Sequence, residues 1–81
     1  MSVMFEVYYK APPDLEREER ITGRMVHRGG KLSFREPPPE SESGPIVLTY
    51  EFGEFETAKA AASLLRQQGE HVEGPVDYGN S

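Results

Sequence analysis

The side chains in this sequence that are best suited to acid–base or metal chemistry are two histidines. His27 and His71 lie far apart, and no HxH or HxxxH pattern is present. Two isolated histidines give a weak metal signal, because a bound metal needs further ligands from the protein. We therefore predict no metal centre. We interpret His27 as a residue at the rim of the core and His71 as a solvent-exposed residue.

Other motifs of catalysis and cofactor binding are missing. The sequence has no cysteine, which excludes disulfides, thiolate nucleophiles and Cys-ligated metals. It has no GxSxG, GxGxxG or Walker-type motif, and Gly29-Gly30-Lys31 lacks the long phosphate cradle and the Ser or Thr that follows it. We predict no cofactor and do not expect an enzyme. An enzyme that uses His27 as its acid–base group beside Arg28 is the weakest alternative.

The basic residues are clustered along the chain. Six of the nine lysines and arginines lie between residues 17 and 35, whereas residues 36–56 contain six glutamates and no basic residue. In one interpretation these cations are solvated or are paired with Glu6 and Glu51. In the other they bind an acidic protein or a small anion. The residues that we predict for such a site are Arg24, Arg28, Lys31 and Arg35, together with Tyr8.

The composition limits the partners and the compartment. The chain of 81 residues has a net charge of −5, which disfavours nucleic acid and anionic membranes as partners. No window approaches the ~20 apolar residues of a membrane span, and the first ten residues do not resemble a signal peptide. We therefore expect a cytoplasmic protein. A chain of this length hides only about 60 to 65% of its unfolded surface, and such a small core favours an oligomer.

The second half of the chain shows the clearest periodicity. Residues 46–52 alternate between apolar and polar or smaller side chains, which predicts a half-buried strand. From Phe55 onward apolar residues recur at three- and four-residue spacing, which predicts one long helix over about 54–68. Gly69 is placed to end this helix in a left-handed conformation. A short strand follows at residues 71–73, and Gly74-Pro75 is expected to end it.

In the first half, residues 3–10 alternate in the same way and predict a strand. Residues 14–20 are either a turn or two of helix, which we favour, or a solvated approach to the next strand. Residues 21–36 predict a β-hairpin about Gly29-Gly30, a pair that tolerates the positive φ angles of a type I′ turn. Residues 36–45, rich in Pro, Glu and Ser, predict a mobile surface loop, and residues 76–81 a short C-terminal tail.

These elements assemble into a single α+β domain over residues 1–81. We predict a mostly antiparallel sheet of four or five strands with one long helix packed on one face. The strand, helix and short strand that follow the hairpin resemble half of a ferredoxin-like plait, as in ACT or SPOR domains. This architectural resemblance covers about a third of the chain, and it implies a loosely ferredoxin-like fold.

One helix covers only one side of a sheet, so the other side is expected to expose an apolar centre with a charged rim, the composition of an interface. Our first functional hypothesis is a non-enzymatic protein-interaction or regulatory module that acts as a homodimer through this side. The alternative is a small domain that binds an anionic ligand on the basic face of the hairpin. The residues predicted for the dimer interface are Met4, Tyr8, Val26, Val47 and Thr49.

Overall fold

The centre of the fold is a pair of antiparallel strands, β1 (Val3–Lys10) and β3 (Pro45–Phe52). The computed structural model describes residues 2–37 and 44–78. The remaining elements of these residues are α1 (Leu15–His27), β2 (Lys31–Glu36), α2 (Phe55–Gln67) and β4 (His71–Asp77). The strands form one antiparallel sheet in the order β2-β3-β1-β4. The described chain is therefore an α+β fold with a four-stranded antiparallel sheet and two helices.

The alternation predicted for β1 and β3 is confirmed, and it builds the sheet layer of the core. Every second residue of both strands is buried, and the residues between them are half-buried or exposed. The ring of Phe5 packs against the rings of Tyr50 and Phe52, with centroids 5.9 and 5.5 Å apart. The buried residues of the two strands are Val3, Phe5, Val7, Tyr9, Ile46, Leu48, Tyr50 and Phe52.

α2 follows the prediction made from its periodicity. Its buried residues are Ala58, Ala61, Ala62 and Leu65, and they belong to the same core as the buried residues of the sheet. Gly69 has a φ of 91° and ends the helix in the left-handed conformation, as expected. The amide of Glu70 then donates to the carbonyl of Leu65 at 3.0 Å, which completes a Schellman motif.

The predicted hairpin over residues 21–36 is wrong, because residues 15–27 form α1. The fold therefore has two helices and not one. Asp14 caps α1 by accepting a hydrogen bond from the amide of Arg17 at 3.1 Å. Ile21 and Met25, one helical turn apart, are the apolar residues that α1 buries. They belong to the same core as the buried residues of α2, so both helices lie on one face of the sheet.

The Gly29-Gly30 pair ends this helix and does not form a hairpin turn. Gly29 has a φ of 92°, and the amide of Gly30 donates to the carbonyl of Met25 at 2.8 Å. This is the same Schellman motif that ends α2 at Gly69. A Gly-Gly pair suits both roles, since each requires a positive φ that glycine adopts without a steric cost.

Both edge strands deviate from a regular ladder. In β2 the register against β3 shifts between Leu32 and Phe34, so that Leu32 lies opposite Tyr50 whereas Phe34 lies opposite Thr49. The two apolar residues therefore point to opposite faces of the sheet. In β4 the register against β1 shifts between Met4 and Glu6. This strand continues through Gly74 and Pro75 to Asp77, where the sequence predicted its end.

Two predicted segments lie partly outside the described residues. Residues 38–43 of the predicted loop lie outside the described residues. At its two ends, Glu36 is the last residue of β2 and Pro45 is the first residue of β3. Residues 79–81 of the predicted tail are also outside it, whereas residues 76 and 77 belong to β4. No helix in the described part of the chain is long and apolar enough to cross a membrane.

Candidate functional site

The structure separates the basic residues that were predicted to form one site. Arg24 lies on α1 and Arg28 caps its C-terminus, whereas Lys31 and Arg35 lie on β2. Lys31 and Arg35 point to opposite faces of the sheet, because their partners in β3 are Glu51 and Leu48. The Nζ atom of Lys31 is 3.6 Å from the Oε1 atom of Glu51. The basic hairpin face therefore does not exist as a single surface.

Arg35 binds a buried carboxylate on the helix side of the sheet. Its Nε and Nη2 atoms donate to the two oxygens of Glu18 at 2.6 and 3.0 Å. The hydroxyl of Tyr9 also donates to Glu18, and it accepts from the amide of Asp14 at 2.9 Å. Arg35, the main cause, and Tyr9 hold the pKa of Glu18 below its ordinary value against the effect of burial. Glu18 is therefore a fixed anion that ties α1 to β2, and it is not poised for proton transfer near neutral pH.

Three further arginines form a line along α1 and its C-cap, which we name the basic stripe: Arg20, Arg24 and Arg28. The four-residue spacing puts them on one side of the helix, beside His27. They line a groove of about 600 Å³ whose other wall includes Leu64 and Gln68 of α2 and its C-terminal turn. Within residues 2–37 and 44–78 no ion pair involves an arginine of the stripe. Arg24 and Arg28 were predicted as site residues, and Arg20 joins them because the segment is a helix.

The second candidate surface is the sheet face opposite the helices, which we name the open face. Four of the five residues predicted for the dimer interface lie on it: Met4, Tyr8, Val47 and Thr49. The expectation that Val26 lies there is wrong, because it is on α1, where it is 57% exposed. The register of the edge strands adds Lys31, Phe34 and Glu36 from β2 and His71, Glu73 and Val76 from β4.

The two edges of the open face have complementary shapes. On the β2 edge, Phe34 is 59% exposed. On the β4 side, Met4, Val76 and Tyr78 line a groove of about 520 Å³ together with Glu6, Thr49, Glu73 and Gly74. Sequence analysis missed both features, since the register shift in β2 decides the side of Phe34 and the continuation of β4 past Pro75 builds the groove wall.

Hydrogen bonds fix the polar residues of the open face. The Tyr8 hydroxyl donates to Glu6 Oε1 at 3.0 Å, and this bond is the main reason that the pKa of Tyr8 is raised. The Nε2 atom of His71 lies 2.9 Å from Glu73 Oε2, and the ring of His71 meets the edge of the Tyr8 ring, with centroids 5.7 Å apart. No group of three His, Cys, Asp or Glu side chains among the described residues could hold a metal ion.

Comparisons of this chain with protein-family models, with curated proteins and with solved structures give no match. The two surfaces, the open face and the basic stripe with its groove, are therefore the basis on which a function can be proposed.

Proposed function

We propose that this protein is a non-enzymatic protein-interaction module that acts as a homodimer, with the open face as the interface. The observation that carries the proposal is the pairing of an exposed Phe34 at one edge of this face with a groove that runs from the central strands to the other edge. An exposed apolar side chain and a groove lined by Met4, Val76 and Tyr78 together with polar residues are complementary parts of an isologous interface.

The strand order supports a specific two-fold axis. The strand order is β2-β3-β1-β4. The axis lies between the two stacked sheets, parallel to the strands and midway between β1 and β3. It stacks β1 of one copy on β3 of the other, and β2 on β4. Phe34, Thr49, Glu6 and Glu73 occupy one level across the sheet. The axis therefore sets Phe34 of each copy over the groove beside Glu73 of its partner.

The charges favour the same axis. At the level of Phe34 it sets Glu6 over Thr49, and at the next level it sets Tyr8 over Val47 and Glu36 over His71. Across the interface no glutamate of the described strands therefore faces a glutamate, and Glu6 keeps its own neighbour Glu73 within each copy. An axis in the same plane that is perpendicular to the strands and passes through the level of Glu6 would place each Glu6 over its own copy. Like charges brought together in a buried interface are strongly unfavourable.

The size of the face sets the strength that we expect of the dimer. Four strands of about seven residues, roughly 4.8 Å apart, cover a flat area on the order of 450 Å². Side chains enlarge the accessible area, yet a standard interface buries about 800 Å² on each partner. The whole face must therefore take part, which favours a dimer of moderate, concentration-dependent affinity.

We extend the proposal to the fold and the compartment. The element order β-α-β-β-α-β, with β1 and β3 in the centre of the sheet, supports a ferredoxin-like assignment. A chain without cysteine is indifferent to the reducing conditions of the cytoplasm, which supports a cytoplasmic location. The alternative of an anion site on a basic hairpin is weakened because residues 15–27 form a helix and no hairpin. His27 lies exposed on α1, and no hydrogen bond or ion pair joins its side chain to another of the described residues.

Cross-linking between single-cysteine variants tests the proposed axis. Because the chain has no cysteine, Glu36→Cys and His71→Cys each carry one thiol. A short bis-maleimide should give a covalent dimer when the two variants are mixed, since stacked sheets lie about 10 Å apart. Each variant alone should give little covalent dimer, because β2 stacks on β4 and the two identical thiols then lie at opposite edges of the interface. Lys59→Cys, on the exposed side of α2, replaces His71→Cys in the control mixture. Equal cross-linking in both mixtures, or none in either, would contradict the proposal.

A further inference from the structure

α1 is an unusually exposed helix for one that takes part in the core. Its buried residues are Glu18, Ile21 and Met25. The ion pair of Glu18 with Arg35 and two side-chain hydrogen bonds, Tyr9 to Glu18 and Thr22 with Tyr50, also hold it to the sheet. Two other apolar residues of the helix lie on its surface and outside the core: Leu15 is 69% exposed and Val26 is 57% exposed. Together with Leu32 of β2 they line a groove of about 580 Å³ on the side of α1 away from α2.

The basic stripe lies on the other side of the same helix. Arg17, one turn earlier, is paired with Glu70 at 2.7 Å, whereas the arginines of the stripe have no ion pair within the described residues. Like charges four residues apart destabilise a helix by about 0.2–0.5 kcal/mol for each pair. The helix dipole favours cations in the last turn, which accounts for Arg24 and Arg28 but does not extend to Arg20. An acidic protein thus keeps a line of three cations without an ion pair in the described part of the chain, and Glu19 is a carboxylate that lines the same groove.

Gly23 lies between the two grooves and lines both of them, as does the exposed Glu19 one turn earlier. It is exposed in the middle of α1, and its φ is not positive. A Cβ atom built there would meet no atom within 4 Å. Neither the backbone nor the packing therefore needs a glycine, although glycine in a helix costs about 0.5–1 kcal/mol relative to alanine. What the glycine does provide is space above the helix, where another backbone can approach closely.

We propose that this surface of α1 binds an acidic, amphipathic helix of a partner protein. Carboxylates one turn apart on that helix would pair with the basic stripe, whose own spacing is one helical turn. Its apolar side chains would cover Val26, Leu15 and Leu32, and its backbone would cross α1 at Gly23. The surface lies on the helix side of the sheet, so it stays accessible in the dimer, and the inference does not depend on dimerisation.

A synthetic peptide tests this inference. The probe is a fluorescein-labelled helical peptide with glutamates at every fourth position and leucines along the neighbouring side, and its control is the same peptide with glutamine for glutamate. Fluorescence anisotropy should show binding of the acidic peptide that weakens as salt rises, and weaker binding of the glutamine peptide. Arg24→Ala should weaken binding about tenfold, because a charge-assisted contact is lost. Lys59→Ala is the matched control, because it removes a cation from the exposed side of α2, and it should leave binding unchanged.

Gly23→Ala separates binding from folding. The free protein should gain about 0.5–1 kcal/mol of unfolding free energy, while the affinity for the acidic peptide should fall about fivefold or more. A stabilised variant cannot lose binding by failing to fold. The inference is overturned if neither peptide binds at about 1 mM, if the glutamine peptide binds equally well, or if Gly23→Ala and Arg24→Ala leave the affinity unchanged. It is also overturned if inorganic phosphate displaces the peptide at equal concentration, since the site would then select an anion and not a helix.

Discussion

The guanidinium of Arg35 binds the carboxylate of Glu18 through two parallel hydrogen bonds, 2.6 and 3.0 Å long, and so ties β2 to α1. The Glu18 side chain is 9% exposed and that of Arg35 is 32% exposed, so the carboxylate is the more protected partner. The other side-chain hydrogen bonds from α1 to the sheet go to Tyr9 of β1 and Tyr50 of β3. This ion pair is therefore a major part of what holds the helix and the edge strand together.

Glu18→Gln should destabilise the fold by about 1.5–3 kcal/mol, because a buried group loses its charge-assisted hydrogen bonds to Arg35. Urea unfolding followed by circular dichroism measures the change. Glu19→Gln removes the neighbouring, exposed carboxylate and should change stability by less than about 0.5 kcal/mol. Equal effects of the two variants would show that the ion pair does not anchor α1.

The stability of the protein should fall as the solution becomes acidic, and Glu18 should contribute to this fall. Arg35 holds the pKa of Glu18 below its ordinary value in the folded protein, so the unfolded chain binds this proton more readily. The stabilisation is therefore complete above the unfolded pKa of about 4.3 and is lost as the pH falls through the lower folded value. Unfolding free energy measured between about pH 7 and pH 3 should decline less steeply for Glu18→Gln than for the wild type. Parallel curves would argue against this assignment.

Gly30→Ala should destabilise the protein by about 1–3 kcal/mol, because the added methyl group would overlap a buried ring. A Cβ atom at this position would lie 2.7 and 2.8 Å from the Cε2 and Cε1 atoms of Phe52, which is 2% exposed. Thermal unfolding measures the loss. Gly53→Ala is the control, since a Cβ atom there meets nothing within 4 Å. Comparable melting temperatures of the two variants would mean that the Phe52 ring moves aside at little cost.

Tyr50 should ionise only at high pH. Its burial raises its pKa to about 12, and its hydroxyl lies 2.7 Å from the Oγ1 atom of Thr22. Ultraviolet absorbance of the folded wild type should therefore show a tyrosine step near pH 12 that is absent from Tyr50→Phe. The substitution should also cost about 1 kcal/mol of stability through the lost hydrogen bond. Identical titrations of the two proteins would contradict the burial of this hydroxyl.

The sequence predicted the parts of the fold that have a clean apolar period. β1, β3 and α2 alternate or repeat without interruption, and the Gly69 terminus was expected. α1 was predicted only in part, as a turn or two of helix over residues 14–20. The rest was missed because the buried positions of α1 are Glu18, Ile21 and Met25, and a charged residue in the first of them hides the helical stripe.

The candidate surfaces depended on details that periodicity does not report. The Gly29-Gly30 pair suits a hairpin turn and a Schellman motif equally well, and choosing the turn moved Val26 onto the wrong surface. The register shift at Ser33 put Leu32 and Phe34 on opposite faces of the sheet. The open face itself was predictable from the alternation of β1 and β3, since Met4, Tyr8, Val47 and Thr49 all lie between buried residues.

The most direct test of the homodimer is light scattering coupled to size exclusion, at protein concentrations of about 10 to 500 µM, which span a micromolar dissociation constant. We predict that the wild type approaches the dimer mass as concentration rises. Val47→Glu, in the middle of the open face, should remain a monomer throughout, whereas Val26→Glu, the same substitution on exposed α1, should still dimerise. A wild type that stays monomeric at every concentration, or a Val47→Glu variant that dimerises like the wild type, would contradict the proposed interface.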